Sequence, residues 1–323
     1  MPIPGTPAGT MPAMAFLCHG RDQLPRAVLL PIPAPGPRQV LVRVSAAGVG
    51  HWDLLRRDGD FARRSGHRER FPLVAGAEAA GTVVATGSAV RGFRPGDRVY
   101  GMLAGRMART GCFAGYVLFD ETHAWPVPPW LAADQAAVLP VDGALALRGL
   151  RDGLEARAGQ RLVILGASGG IGHLALQLAR RMGLRTLAIA SRADGVRLAL
   201  RQGADAAIDG RRDDIGRAVR RFTGGGASLA LLTAGGAAAE QVAAAMPAGS
   251  RVTWPRGVDV PRGIAGTAFA ASFDPALLRD LHGLLQRGLL LPHVSRRFPL
   301  PRLAEALEAV TAHHLGRIAV LAP

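Results

Sequence analysis

The chain of 323 residues contains no lysine: all 39 of its basic side chains are arginine, against 24 acidic residues, for a formal charge of +15. A charge that large points by itself toward nucleic acid. The arginines, however, are scattered as singles and pairs (Arg56-Arg57, Arg63-Arg64, Arg211-Arg212, Arg220-Arg221, Arg296-Arg297), with no run of five and no aromatic-rich recognition motif beside them. Together with abundant Ala, Gly and Pro this reads as coding bias, and no nucleic-acid partner is expected. Cysteine is almost absent. Cys18 and Cys112 are too few for a disulfide framework or a four-cysteine zinc lobe, and read as buried, inert thiols. Long hydrophobic runs are missing as well: the most tempting uncharged stretch, Phe222 to Ala239, holds five glycines around a short "LALL", which suits a buried strand and not a membrane span. The opening "MPIPGTPAGTMPA" has neither a basic residue nor an apolar core, so residues 1–13 read as a frayed extension and not as a signal peptide. These absences lead to the expectation of a cytoplasmic protein with no membrane partner.

What is present is ordinary globular composition, 49% hydrophobic and 20% charged, in a chain long enough for two domains. From Pro25 to about Phe119, turn signals ("PAPGPRQ", "RRDGD", "ATGS", "RPGD", "RTGC") separate short β-rich pieces such as "VLVRVS", with Val40, Val42 and Val44 on one side, "GTVVAT", "DRVYGML" and "GYVLF". That pattern predicts a small all-β barrel or sandwich with few helices. After Pro129 the texture becomes strand–helix alternation: "RLVILGA", "GIGHLALQLARRMG" with Leu174, Leu178 and Met182 on one face, "RTLAIAS", "ADGVRLALRQG", "AAIDG", "IGRAVRRFT", "LALLTA", "AAAEQVAAAM" and "SRVTWP". Strict alternation predicts an α/β fold with a doubly wound parallel sheet. Two further helices, "PALLRDLHGLLQRGLL" and "PRLAEALEAVTAHH", and a final strand "GRIAVLA" follow.

Between the first of these strands and its helix lies Ala167-Ser168-Gly169-Gly170-Ile171-Gly172, with Ala where the first glycine of GxGxxG would stand. A glycine-rich turn there lets backbone N–H groups and the positive end of the helix approach a pyrophosphate. The next strand ends in Ser191 and Arg192, where an NAD-binding chain would place an acid for the ribose 2′-hydroxyl. A hydroxyl and a cation suit a 2′-phosphate instead, so the expected cofactor is NADP(H).

A different puzzle is "AGAEAAG", in which Glu78 stands alone among Ala and Gly. An unpaired carboxylate in apolar surroundings costs several kcal/mol. It is therefore on a turn in water, beside a metal, or opposite a cation from elsewhere in the chain.

The β-rich first half, "AGAEAAGTVVATGSAVRGFRPGDRVYG", "FAGYVLF", "GASGGIGHLALQLARRMG", "GADAAID" and the closing "GRIAVL" together resemble the medium-chain dehydrogenase/reductases, and more closely their zinc-independent quinone oxidoreductase branch. The resemblance implies a GroES-like β-rich catalytic domain from residues 1–132 and 267–323, and a Rossmann NADP(H)-binding domain from 133–266. It implies that Glu78 faces Arg317 as a structural ion pair, with Arg317 also near the cofactor pyrophosphate. Zinc relatives carry ligands at positions that read Gly50 and Ala77 here. A third ligand position falls near Asp142, and one carboxylate cannot hold a catalytic zinc, so no metal is expected. The hydroxyl of the family's proton relay is replaced by Trp52, a threonine beside the nicotinamide by Leu145, and the tyrosine donor of enoyl reductases by Phe61. Tyr100 and Tyr116 match positions on barrel strands. His51 and Asp142 are left as catalytic candidates.

With so thin a proton-handling set, the expected activity is hydride delivery from NADPH to a quinone, an activated enone or a similar electron-poor acceptor. The alternatives are an NADPH-binding sensor that has lost turnover, and a biosynthetic reductase acting on an enoyl or keto substrate. A homodimer is expected. The arginine-rich loop 56–71 is read as a wall of the substrate cleft.

Overall fold

In the computed structural model, which describes residues 7, 9–66, 69–103, 111–260, 262–270 and 274–322, the chain divides into two units: Met1–Val141 with Val294–Pro323, and Asp142–His293. The first unit runs through β1 (Thr10–Phe16), β2 (Arg26–Pro31), β3 (Gln39–Val49), the short helices α1 (His51–Arg57) and α2 (Asp60–Ser65), then β4 (Leu73–Val74), β5 (Glu78–Thr86), β6 (Arg98–Met102), β7 (Tyr116–Asp120), β8 (Ala124–Pro126) and α3 (Ala133–Ala137). Helix α4 (Pro140–Arg148) crosses the division. The second unit holds β9 (Arg161–Leu165), α5 (Gly170–Arg181), β10 (Arg185–Ala190), α6 (Arg192–Arg201), β11 (Ala206–Asp209), α7 (Ile215–Thr223), β12 (Leu229–Leu232), α8 (Ala237–Ala245), β13 (Arg251–Pro255), β14 (Thr267–Phe269) and α9 (Pro275–Gln286). β15 (Val294–Pro299), α10 (Leu303–Thr311) and β16 (Arg317–Leu321) complete the first unit.

In the first unit the long β3 is the organiser. It pairs antiparallel with β5, β7 and β16, in a sheet ordered β15-β16-β3-β5-β6-β8, while β1 lies between β2 and β4 in a separate sheet. Val40, Val42 and Val44 are buried as their alternation requires, and Leu41 is buried on the opposite side. Arg43 and Ser45, on the same side as Leu41, are exposed. Pairing of β16 with β3 brings residue 317 into the same sheet as residue 78 on β5.

The second unit is a six-stranded parallel sheet ordered β11-β10-β9-β12-β13-β14. β9 sits at the centre, and Leu162 to Leu165 are all buried because helices cover both faces of such a sheet. The strand order reverses between β9 and β12, which puts the C-terminal end of β9 at the switch point where open α/β sheets bind ligands.

Five sequence readings need correction. The return to the first unit comes at Val294 and not at residue 267, because Thr267–Phe269 extends the parallel sheet beside β13. The earlier division falls after Val141 and not after 132, since α3 packs on β3 and β5. The stretch after Gly50 is helical: Asp53 accepts from the Gly50 N–H at 2.9 Å and closes the first turn of α1, and α2 follows inside the segment read as a loop. The first residues are not simply frayed, because Thr10–Ala13 belong to β1 with Met11 and Ala13 buried, whereas residues 1–6 and 8 lie outside the described residues. Of the two thiols, Cys112 is buried as expected but Cys18 is exposed.

Candidate functional site

The glycine-rich turn joins β9 to α5, and its tightness has a local cause. Gly166 adopts φ 75°, and a Cβ there would lie 2.5 Å from Thr233 Oγ1. A Cβ at Gly172 would lie 2.2 Å from the Gly166 carbonyl oxygen. Strand end and helix start are therefore in backbone contact, which only glycine permits at both positions. Ala167 and Ser168 are buried, Gly169 is the N-cap of α5, and Gly170 and Ile171 open the helix. No side chain caps this helix, which leaves its first-turn N–H groups to an anion. These residues fit the pyrophosphate of a dinucleotide. Gly166 lies one position before the motif that begins at Ala167, and so falls outside it. The signal was there, since a glycine directly after an apolar strand is where a left-handed turn residue belongs.

Ser191 and Arg192 stand at the end of the neighbouring strand β10, as read. Arg192 is left-handed at φ 65°, a conformation costly outside glycine and concentrated at functional sites. Asp209, the last residue of β11, holds it there: one carboxylate oxygen accepts from Arg192 N at 2.9 Å and from Arg211 N at 3.1 Å. Those backbone donors, with the guanidinium groups of Arg212 and Arg211, keep the Asp209 carboxyl below its ordinary range. Arg211 Nε donates to Ser191 Oγ at 2.8 Å. The result is a cleft of about 600 Å³ lined by Arg192, Arg197, Arg211 and Arg212 with Asp194 and Asp209. Among the described residues the guanidinium groups of Arg192 and Arg197 make no hydrogen bond or ion pair. Arg211 and Arg212 looked like background charge because they are distant in sequence. The parallel order, with β11 next to β10, is what carries them to Ser191.

In the first unit, Glu78 is 1% exposed and Arg317 7%, so neither charge is solvated and each needs the other. Glu78 Oε1 accepts from Arg317 Nη2, and Oε2 accepts from Val141 N at 2.7 Å. Two glycines make the room. A Cβ on Gly48 would fall 2.5 Å from Glu78 Oε1, and one on Gly50 3.1 Å from Arg317 Nη1. The space beside Gly50, where zinc relatives carry a ligand, is thus taken by a guanidinium. Asp53 lies in the same region, fully desolvated, accepting from Gly50 N and Gly76 N at 2.9 Å each. Burial raises its carboxyl above the usual range, against the pull of those two N–H groups and of Arg56 and Arg317. Cys112 is pushed well up by burial and by the nearby Glu78 and Asp53, so its thiol is not a nucleophile at neutral pH.

The two catalytic candidates differ. His51 is exposed at the start of α1, and Asp142 is buried in the first turn of α4, in the second unit. Trp52 meets Phe61 edge to face at 4.9 Å, so the positions of the relay hydroxyl and the tyrosine donor form an apolar pair. Among the described residues no three His, Cys, Asp or Glu side chains converge as a metal site.

Two family models match the chain: the alcohol dehydrogenase GroES-like domain over residues 36–129 and the zinc-binding dehydrogenase family over residues 170–254. A quinone oxidoreductase of Rattus norvegicus is 34% identical over 173 residues, which are 54% of this chain and only 50% of the rat protein's length. An alcohol dehydrogenase of Schizosaccharomyces pombe is 30% identical over 277 residues, covering 78% of this chain and 77% of the yeast one. The crystal structure of an NAD-dependent alcohol dehydrogenase superposes with a TM-score of 0.86 at 26% identity, over 96% of this chain and 99% of that one.

Proposed function

Because the chain belongs to the medium-chain dehydrogenase/reductase superfamily, in its quinone oxidoreductase-like branch, whose members use nicotinamide cofactors, we propose that it is an NADPH-dependent oxidoreductase that reduces a quinone or an activated enone without zinc. The single observation that carries the cofactor choice is the arginine cleft: Ser191 and four arginines converge at the ends of β10 and β11, where an NAD-selective site would hold an acid. Of the two acids that line the cleft, Asp209 spends its charge on Arg192, Arg211 and Arg212, and Asp194 accepts from Gly195 N on α6.

When bound, the nicotinamide supplies a hydride. The first turn of α5 would hold the pyrophosphate of a bound dinucleotide, and Ser191 with the arginines of the cleft would hold a 2′-phosphate. Gly50 and Ala77 offer no Lewis-acid ligand, and Trp52 and Leu145 offer no relay hydroxyl. That set suits an acceptor already electron-poor at the carbon or ring that takes the hydride, with water protonating the resulting anion.

The test is a titration of NADPH and NADH into the wild type, Arg211→Ala and Arg192→Ala, followed by NADPH oxidation with quinones, enones, ketones and alcohols. A charge-assisted phosphate contact is worth about 1.5–3 kcal/mol, roughly 10- to 150-fold. Each substitution should weaken NADPH by about that factor and leave NADH unchanged, with turnover confined to quinones and enones. Equal wild-type affinity for the two cofactors removes the NADPH assignment, and turnover of simple ketones or alcohols removes the acceptor class.

A further inference from the structure

Helix α5 carries three polar side chains on one stripe, His173, Gln177 and Arg181, spaced four residues apart. None of them serves the cofactor cleft. All three instead hydrogen-bond the backbone of the extended segment 289–293. Arg181 Nε donates to Leu289 O. Gln177 pairs with both groups of Leu291, Oε1 accepting from N at 2.9 Å and Nε2 donating to O at 3.0 Å. His173 Nε2 accepts from His293 N at 3.0 Å. The match is geometric: four helical residues advance about 6 Å, and two extended residues about 6.6 Å, so a helix stripe at i, i+4, i+8 meets alternate residues of the segment 289–293. Leu290 and Pro292, between the gripped positions, are buried.

His173 has a second bond. Its Nδ1 lies 2.8 Å from the Gly169 carbonyl oxygen, and Gly169 is the N-cap of α5 in the glycine-rich turn. Because Nε2 must accept from a backbone N–H, the proton is on Nδ1 and is donated to Gly169. A wholly buried neutral imidazole thus ties the turn to the segment through which the chain leaves the nucleotide unit.

We infer that His173 is a positioning residue and the stripe a clasp, through which occupation of the glycine-rich turn and ordering of segment 289–293 stabilise one another. The inference rests on the dinucleotide reading of that turn. Linkage makes the effect reciprocal: whatever factor the cofactor adds to the stability of the segment, loosening the segment must subtract from cofactor affinity.

Hydrogen–deuterium exchange of the full chain, with and without saturating NADPH or NADH, reads this directly. In the wild type the cofactor should slow exchange of the Leu291 and His293 amides several-fold. His173→Phe keeps the volume but removes the acceptor, and should speed exchange there and weaken cofactor binding by about tenfold. His173→Gln, which supplies one donor and one acceptor, should recover part of both. Gln177→Ala leaves His173 and the turn intact, so it serves if His173→Phe fails to fold. It should loosen Leu291 and raise the cofactor Kd by the same factor. The clasp is refuted if a cofactor binds and leaves exchange at 289–293 unchanged, or if Gln177→Ala frees the segment with no loss of affinity. Failure of the dinucleotide reading looks different: neither NADPH nor NADH binds the wild type, and the inference falls with it.

Discussion

Glu78 and Arg317 show how far a single pair of residues is constrained by burial. Each is nearly inaccessible, and each would be an uncompensated charge without the other. Glu78→Ala or Arg317→Ala should therefore cost about 3–5 kcal/mol of unfolding free energy, whereas a double replacement by Leu and Met should be much less harmful than either single one. Urea denaturation of the two alanine singles and of the double variant carrying both alanines gives the coupling. If the double variant is as unstable as the sum of the singles, the residues contribute independently and the pair is not what retains them. The sequence could pose the question, since a lone acid in "AGAEAAG" demands a partner. It could not show why Gly48 and Gly50 are glycines: their α-hydrogens face the carboxylate and guanidinium across gaps a methyl group would fill.

Among the elements, the β9–α5 turn was the most legible and still incomplete. A strand, a glycine-rich turn and a helix were read in the right order, and Ser168, Gly169, Gly170 and Ile171 stand where expected. The residue that makes the turn is Gly166, one position earlier than the motif as aligned. Alanine there must adopt φ 75° and push its methyl group against Thr233 Oγ1. Gly166→Ala is expected to lower Tm and to weaken NADPH and NADH alike, because it displaces the glycine-rich turn and not the arginine cleft proposed for the 2′-phosphate. Differential scanning calorimetry with a cofactor titration checks this, and a selective loss of NADPH alone would contradict it. Helices α1 and α2 were illegible for a physical reason. At seven and six residues they are too short to stand by propensity, and α1 is closed by Asp53, whose side chain bridges Gly50 and a distant glycine, Gly76.

For the whole molecule, the proposal that it works without zinc rests on two positions. The two positions read as Gly50 and Ala77 supply no ligand, and the space at Gly50 faces a guanidinium 3.1 Å from where a side chain would begin. Protein dialysed against buffer should carry far less than one zinc per chain, and a chelator should change neither Tm nor NADPH oxidation. Stoichiometric zinc by elemental analysis would overturn this. By itself the sequence determined the succession of a β-rich unit and a strand–helix unit, the glycine-rich turn between strand and helix, and the need for a partner to Glu78, because these depend on local periodicity, glycine chemistry and the cost of a bare charge. Tertiary structure alone decided that Arg211 joins Ser191, that α9 stays with the parallel sheet, and that His173, Gln177 and Arg181 grip 289–293. Those juxtapositions arise from strand order and helix placement, which bring together residues that no local pattern in the chain relates.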